Sequence, residues 1–160
     1  MKAATVHELK EKLSHLSADE LLEFCIRLAR FKKENKELLT YLLFEAHDIE
    51  AYIENVKNEM DAEFAEIPAG NSLYLIKKSL RKILRTVNKY IRYTNSKDAE
   101  IQLLIYYCSK IRETGIPLAK SVKITNLYQT QLKKINKTLS SMHEDLQYDY
   151  LKEAERLSEA

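Results

Sequence analysis

Seven cations, Lys77, Lys78, Arg81, Lys82, Arg85, Lys89 and Arg92, are the residues of this sequence whose type and spacing most suggest chemistry. At about 100° per residue they fall within roughly 140° of a helix circumference, opposite a stripe of Leu73, Ile76, Leu80, Ile83, Val87, Tyr90 and Thr94. No acid interrupts the chain between Glu66 and Asp98. A row of ammonium and guanidinium groups suits phosphates, because each contact neutralises a backbone charge and releases a counterion. Tyr74 shares the arc, and Tyr93 stands at its border as the better ring for stacking on a base. Lys120, Lys123, Lys133, Lys134 and Lys137 would extend such a surface.

The plainer expectation is a face that is solvated or compensated. Residues 34–66 hold ten acids against Lys36 and Lys57, and an antiparallel neighbour of that charge would pair with the seven cations. Compensation is the expected outcome.

Other chemistries are poorly supplied. His47, Glu50 and Glu54 share one helical surface, as a metal site would need, but that surface lies opposite the apolar stripe and so faces water. No histidine has the Glu-x-x-His spacing of helical di-iron sites. Neither a Gly-x-Ser-x-Gly nucleophile elbow nor a glycine-rich phosphate loop is present. Cys25 and Cys108 fall inside helical patterns without metal spacing and are expected to be buried free thiols. No catalytic residue, metal or cofactor is therefore assigned. An enzyme built from scattered residues in a helical pocket is unsupported rather than excluded.

The elements that must carry these residues are helices. Two glycines and two prolines in 160 residues leave little turn chemistry. Apolar residues are 45% and charged residues 31%, an ordinary globular composition. The longest apolar run, 103–108, is far short of the ~18 residues of a membrane span. With no secretory pattern at the start, a cytoplasmic location is expected. Charge is segregated: residues 1–66 carry −6, residues 67–97 +8, residues 98–143 +4 and residues 144–160 −4.

Thr5 with Glu8, and Ser17 with Glu20, are capping boxes that start the first two helices, the second covering Ala18–Phe31. A long pattern over 36–64 begins with Asn35 as a candidate cap. It is either one helix or two, broken near His47–Asp48 with Asp48 as the second cap. The run 41–44 is apolar all round, so Leu42 is expected to be as deeply buried as Leu104. Residues 65–72, with Pro68, Gly70 and a cap at Asn71 or Ser72, form a loop before the basic helix Leu73–Thr94. A central helix over 97–114 ends at Gly115. From Leu118 to Leu146 the apolar spacing hardly lapses. Either a single long helix leaves a stripe for a homodimer, or a third capping box at Ser141 and Glu144 folds the chain back.

The sequence thus implies an all-α single domain, 1–160, of six to seven helices. They pack as consecutive antiparallel hairpins, in a bundle or a short helical-repeat-like array. The function it implies is a non-catalytic scaffold binding a macromolecular partner through charged helix faces, the alternative being a nucleic-acid-binding protein using the basic helix. Partners are a protein or a second copy through the C-terminal helix, with nucleic acid as the other class and no membrane.

Overall fold

Side-chain caps set most of the helix starts. In the computed structural model, which describes residues 1–67, 70 and 72–159, the Thr5 hydroxyl accepts from the Glu8 amide at 3.3 Å and the Glu8 carboxylate accepts from the Thr5 amide at 2.7 Å. This opens α1 (Val6–Leu13). Ser17 and Glu20 repeat the arrangement at 3.3 and 2.8 Å to open α2 (Ala18–Phe31). Backbone and then hydroxyl hydrogen bonds hold both glutamates below the usual carboxylate range. One extended residue, Lys32, separates α2 from α3 (Lys33–Thr40). Asn35 is not the cap expected of it: its side chain donates to the Leu28 carbonyl at 2.8 Å, tying α3 to the end of α2.

The 36–64 pattern is broken. A π-helical turn, Tyr41–Glu45, widens the chain, and Asp48 accepts from the Ala51 amide at 3.0 Å to start α4 (Ile49–Ala65). Ser72 caps α5 (Leu73–Thr94) through the Leu75 amide, while Pro68 and Asn71 lie outside the described residues. Asn95, at φ 48°, closes α5 in the left-handed conformation that asparagine tolerates. Ser96 caps α6 (Lys97–Glu113), and Gly115 at φ 64° ends it as expected.

The C-terminal pattern is also two helices. After a 3₁₀ turn at Leu118–Lys120, Ser121 caps α7 (Val122–Leu139), and His143 caps α8 (Glu144–Ser158). Ser141 does not form the third capping box, since its hydroxyl donates back to the Thr138 carbonyl at 2.7 Å. Both breaks raise the count to eight α-helices among the described residues, with no strand.

The chain falls into two compact units, Met1–Phe44 and Glu45–Ala160. In the second, α6 is the axis and packs against α4, α5, α7 and α8. Ile101, Leu103, Leu104, Tyr107, Cys108 and Ile111 are wholly buried on it. Burial pushes the Cys108 thiol up to about 12, so it remains a neutral core residue. Tyrosine hydroxyls latch the surrounding helices. Tyr107 donates to the Leu80 carbonyl of α5 at 2.9 Å, and Tyr128 of α7 to the Leu157 carbonyl of α8 at 2.8 Å. Tyr106 donates to Asp61 of α4 at 2.8 Å, and Tyr150 of α8 to Asp98 at 2.5 Å. At these four positions tyrosine provides an apolar body with a satisfied polar tip.

Much of the C-terminal stripe finds cover inside this unit: Tyr128, Leu132, Ile135 and Leu139 are buried, as are Ala154 and Leu157 further on, while Val122 and Leu146 are exposed. The break between α7 and α8 means that this stripe does not run along one long helix.

The first unit is different. α2 packs on α3, yet none of α1, α2 and α3 contains a buried residue. In the 41–44 run only Tyr41 is buried. Leu42, the expected core residue, is 56% exposed, and Leu43 and Phe44 are exposed too. Cys25 is exposed as well, contrary to expectation.

Candidate functional site

α5 is held on three sides and open on the fourth. Ile76, Leu80, Ile83, Leu84, Val87 and Ile91 turn inward. On the α4 side the rings of Tyr52 and Tyr90 meet edge to face at 6.4 Å, and the Tyr90 hydroxyl donates to Glu59 at 3.0 Å. On the opposite flank, Lys134 of α7 donates to the Asn88 side chain at 3.1 Å and pairs with Glu100 at 2.7 Å. What remains open is the arc of cations.

The structure keeps all seven expected cations on that arc. Lys78, Arg81, Lys82, Arg85 and Arg92 are exposed, while Lys77 and Lys89 are half-buried. Lys77 lies over the Tyr74 ring at 5.3 Å and Lys89 over the Tyr90 ring at 4.8 Å.

Compensation by α4, the expected outcome, is largely missing. Glu63 reaches Lys82 across 3.7 Å, a long pair on an exposed lysine. Among the described residues no acid pairs with Lys78, Arg81, Arg85 or Arg92. The reason lies in where the α4 acids point. Glu54 pairs with Lys57 at 2.6 Å, Glu59 accepts from Tyr90, and Asp61 faces α6, where it meets Tyr106 and Lys110. The helices touch through their apolar stripes, and that contact turns the cationic arc of α5 away from most of the α4 carboxylates.

α7 adds to the surface along one edge. It contains no acid, and Lys123, Lys133 and Lys137 are exposed. At about 100° per residue Lys123 and Lys137 fall near Lys134, the edge beside α5, whereas Lys133 stands about 100° further round. Lys120, in the 3₁₀ turn before α7, is exposed as well.

Tyr93 is not the stacking ring expected of it: it is buried at 9% exposure with its ring against Tyr90. Tyr74, at 67% exposure on the arc itself, is the ring open to a partner.

The acidic helices of this unit, α4 and α8, lie elsewhere, on either side of a cleft of about 570 Å³ floored by α6. Lys57, Tyr106, Ser109, Arg112, Tyr150 and Arg156 are among its lining residues. Its chemistry is already internally engaged. Tyr106 and Lys110 bind Asp61, Tyr150 binds Asp98, and Arg112 donates to the Arg156 carbonyl. Burial, opposed and outweighed by the Lys110 and Tyr106 hydrogen bonds and the Lys110 charge, leaves Asp61 below the usual carboxylate range. Lys110 is held above its usual value chiefly by its bond to Asp61. Burial and Asp98 push the Tyr150 hydroxyl up, so it stays a donor.

The His47 cluster does not assemble. His47 lies in the turn before α4, Glu54 is engaged by Lys57, and no group of three His, Cys, Asp or Glu side chains is arranged to hold a metal among the described residues. Nor is any helix among them long and apolar enough to cross a membrane.

Sequence reasoning missed one surface, an open trough of about 410 Å³ along α2, lined by Asp19, Leu22, Glu23, Ile26, Arg27 and Arg30. A signal for it was present. The apolar residues of α2 spread over about 220° of its circumference, more than one neighbouring helix can cover. No family model matches the chain, and no curated protein or solved structure is a significant match to it.

Proposed function

We propose that this is a non-catalytic helical interaction protein that binds a polyanionic macromolecule, with nucleic acid the favoured partner, through the open face of α5. The observation that carries the reading is the set Lys78, Arg81, Arg85 and Arg92, exposed and without an acidic partner among the described residues. These charges are free to meet phosphates, and the α7 edge with Lys123 and Lys137 extends the row. Tyr74 offers one ring for stacking. Such a row positions a backbone and does not read bases, so recognition is largely independent of sequence. A protein partner with an acidic face would use the same charges and is the alternative. A cytoplasmic setting goes with either partner.

The test is a binding titration with single- and double-stranded oligonucleotides at several salt concentrations. Four phosphate contacts give a logarithmic salt slope of about −3 to −4. Arg81→Glu with Arg85→Glu weakens every oligonucleotide alike, and thermal stability hardly changes because neither arginine has a partner to lose. No binding tighter than ~10⁻⁴ M at physiological salt, the weak end of non-specific affinity, would refute nucleic acid as the partner.

A further inference from the structure

We infer that the exposed face of α2 is a self-association surface, on which a second copy of this chain packs its own α2 antiparallel. This goes beyond the phosphate-binding reading and does not depend on it. Leu22, 62% exposed, and Ile26, 41% exposed, are the apolar side chains along the α2 trough.

Charge order along the helix selects the occupant. On the trough, Asp19 and Glu23 stand toward the N-terminus of α2, and Arg27 and Arg30 toward its C-terminus. None of the four has an ion-pair partner among the described residues. A two-fold axis at the level of Cys25 sets Glu23 of one copy against Arg27 of the other, and Asp19 close to Arg30. The same operation sets Leu22 of one copy beside Ile26 of the other, about 3 Å apart in level at ~1.5 Å per residue. A helix acidic at one end and basic at the other is complementary to itself when reversed, which is the condition for an isologous interface. A wholly acidic or basic partner would meet repulsion at one end.

The experiment is sedimentation equilibrium on the full chain at up to about 100 µM, with circular dichroism to confirm that each variant is folded. The wild type is expected to sediment as a dimer, twice the 18.7 kDa of one chain. Glu23→Arg and Arg27→Glu, each alone, set like charges together at both symmetric positions and weaken association about tenfold or more. An equimolar mixture of these two variants restores the dimer as a heterodimer, as does the double variant with itself. Leu22→Glu abolishes it. A monomeric wild type would overturn the inference and leave the face to another protein or to the chain's own cover. A dimer indifferent to the single reversals, or not restored by mixing, would overturn the antiparallel α2 arrangement.

Discussion

α2 and α6 are both helices opened by a serine cap, yet one is bare and the other is enclosed. α6 has neighbours on four sides and buries eight residues, while α2 has α3 and buries none. The contrast extends to the units that contain them. Among the described residues every buried apolar side chain except Tyr41 lies in Glu45–Ala160, and most of the exposed large ones lie in Met1–Phe44. Apolar periodicity therefore fixes which face of a helix seeks cover, not whether the chain supplies it. In the C-terminal unit the supply is internal, and what is left open is charge. In the N-terminal unit apolar surface itself is left open.

The largest effect that would break this contrast is a matched pair of truncations. Leu104→Ala empties a fully buried site on α6 and should cost roughly 2–5 kcal/mol in denaturant unfolding. Leu42→Ala removes a side chain that is 56% exposed and should change stability by no more than about 0.5 kcal/mol. Equal losses would mean that the 41–44 run is core after all.

A smaller effect concerns the tyrosine latches of the C-terminal unit. Tyr107→Phe keeps the ring but removes the buried bond to the Leu80 carbonyl, at an expected loss of about 1 kcal/mol in the same assay. Tyr74→Phe, on the exposed arc, should be neutral for stability, since its hydroxyl has no such bond. A neutral Tyr107→Phe would show that shape alone, without polar satisfaction, holds α5 on α6.

The smallest effect is electrostatic. Asp61 is held below its ordinary value in the folded chain, so its contribution is present above the unfolded carboxylate range, near 4, and fades as pH falls through the lower folded value. Lys110 is held above its ordinary value, so its contribution is present below about 10.4 and is lost as pH rises through the folded value. Both groups are partly exposed, which limits the pair to about 0.2–1 kcal/mol. Asp61→Asn should lower stability slightly between those limits and flatten the acid limb of the stability profile. An unchanged profile would reduce the pair to a surface contact without energetic weight.

The sequence by itself determined the helices, most of their caps and the cationic arc. These are local properties: a serine or aspartate bonds an amide three residues on, and spacing alone places Arg81, Arg85 and Arg92 on one side of α5. It also pointed to the centrality of α6, because a run apolar all round needs neighbours all round. The same pattern at 41–44 misled, since hydrophobicity states a demand for cover and not its fulfilment. Whether α4 neutralises α5 was decided only by tertiary structure. Composition counts the α4 acids, but the rotation of two packed helices decides which way the carboxylates face, and here it turns Asp61 toward α6 and leaves Arg81 and Arg85 in solvent. The fold-back between α7 and α8 was decided the same way. The apolar stripe runs on almost unbroken through Ser140 and Ser141, and in the folded chain α7 and α8 pack on each other and both pack on α6.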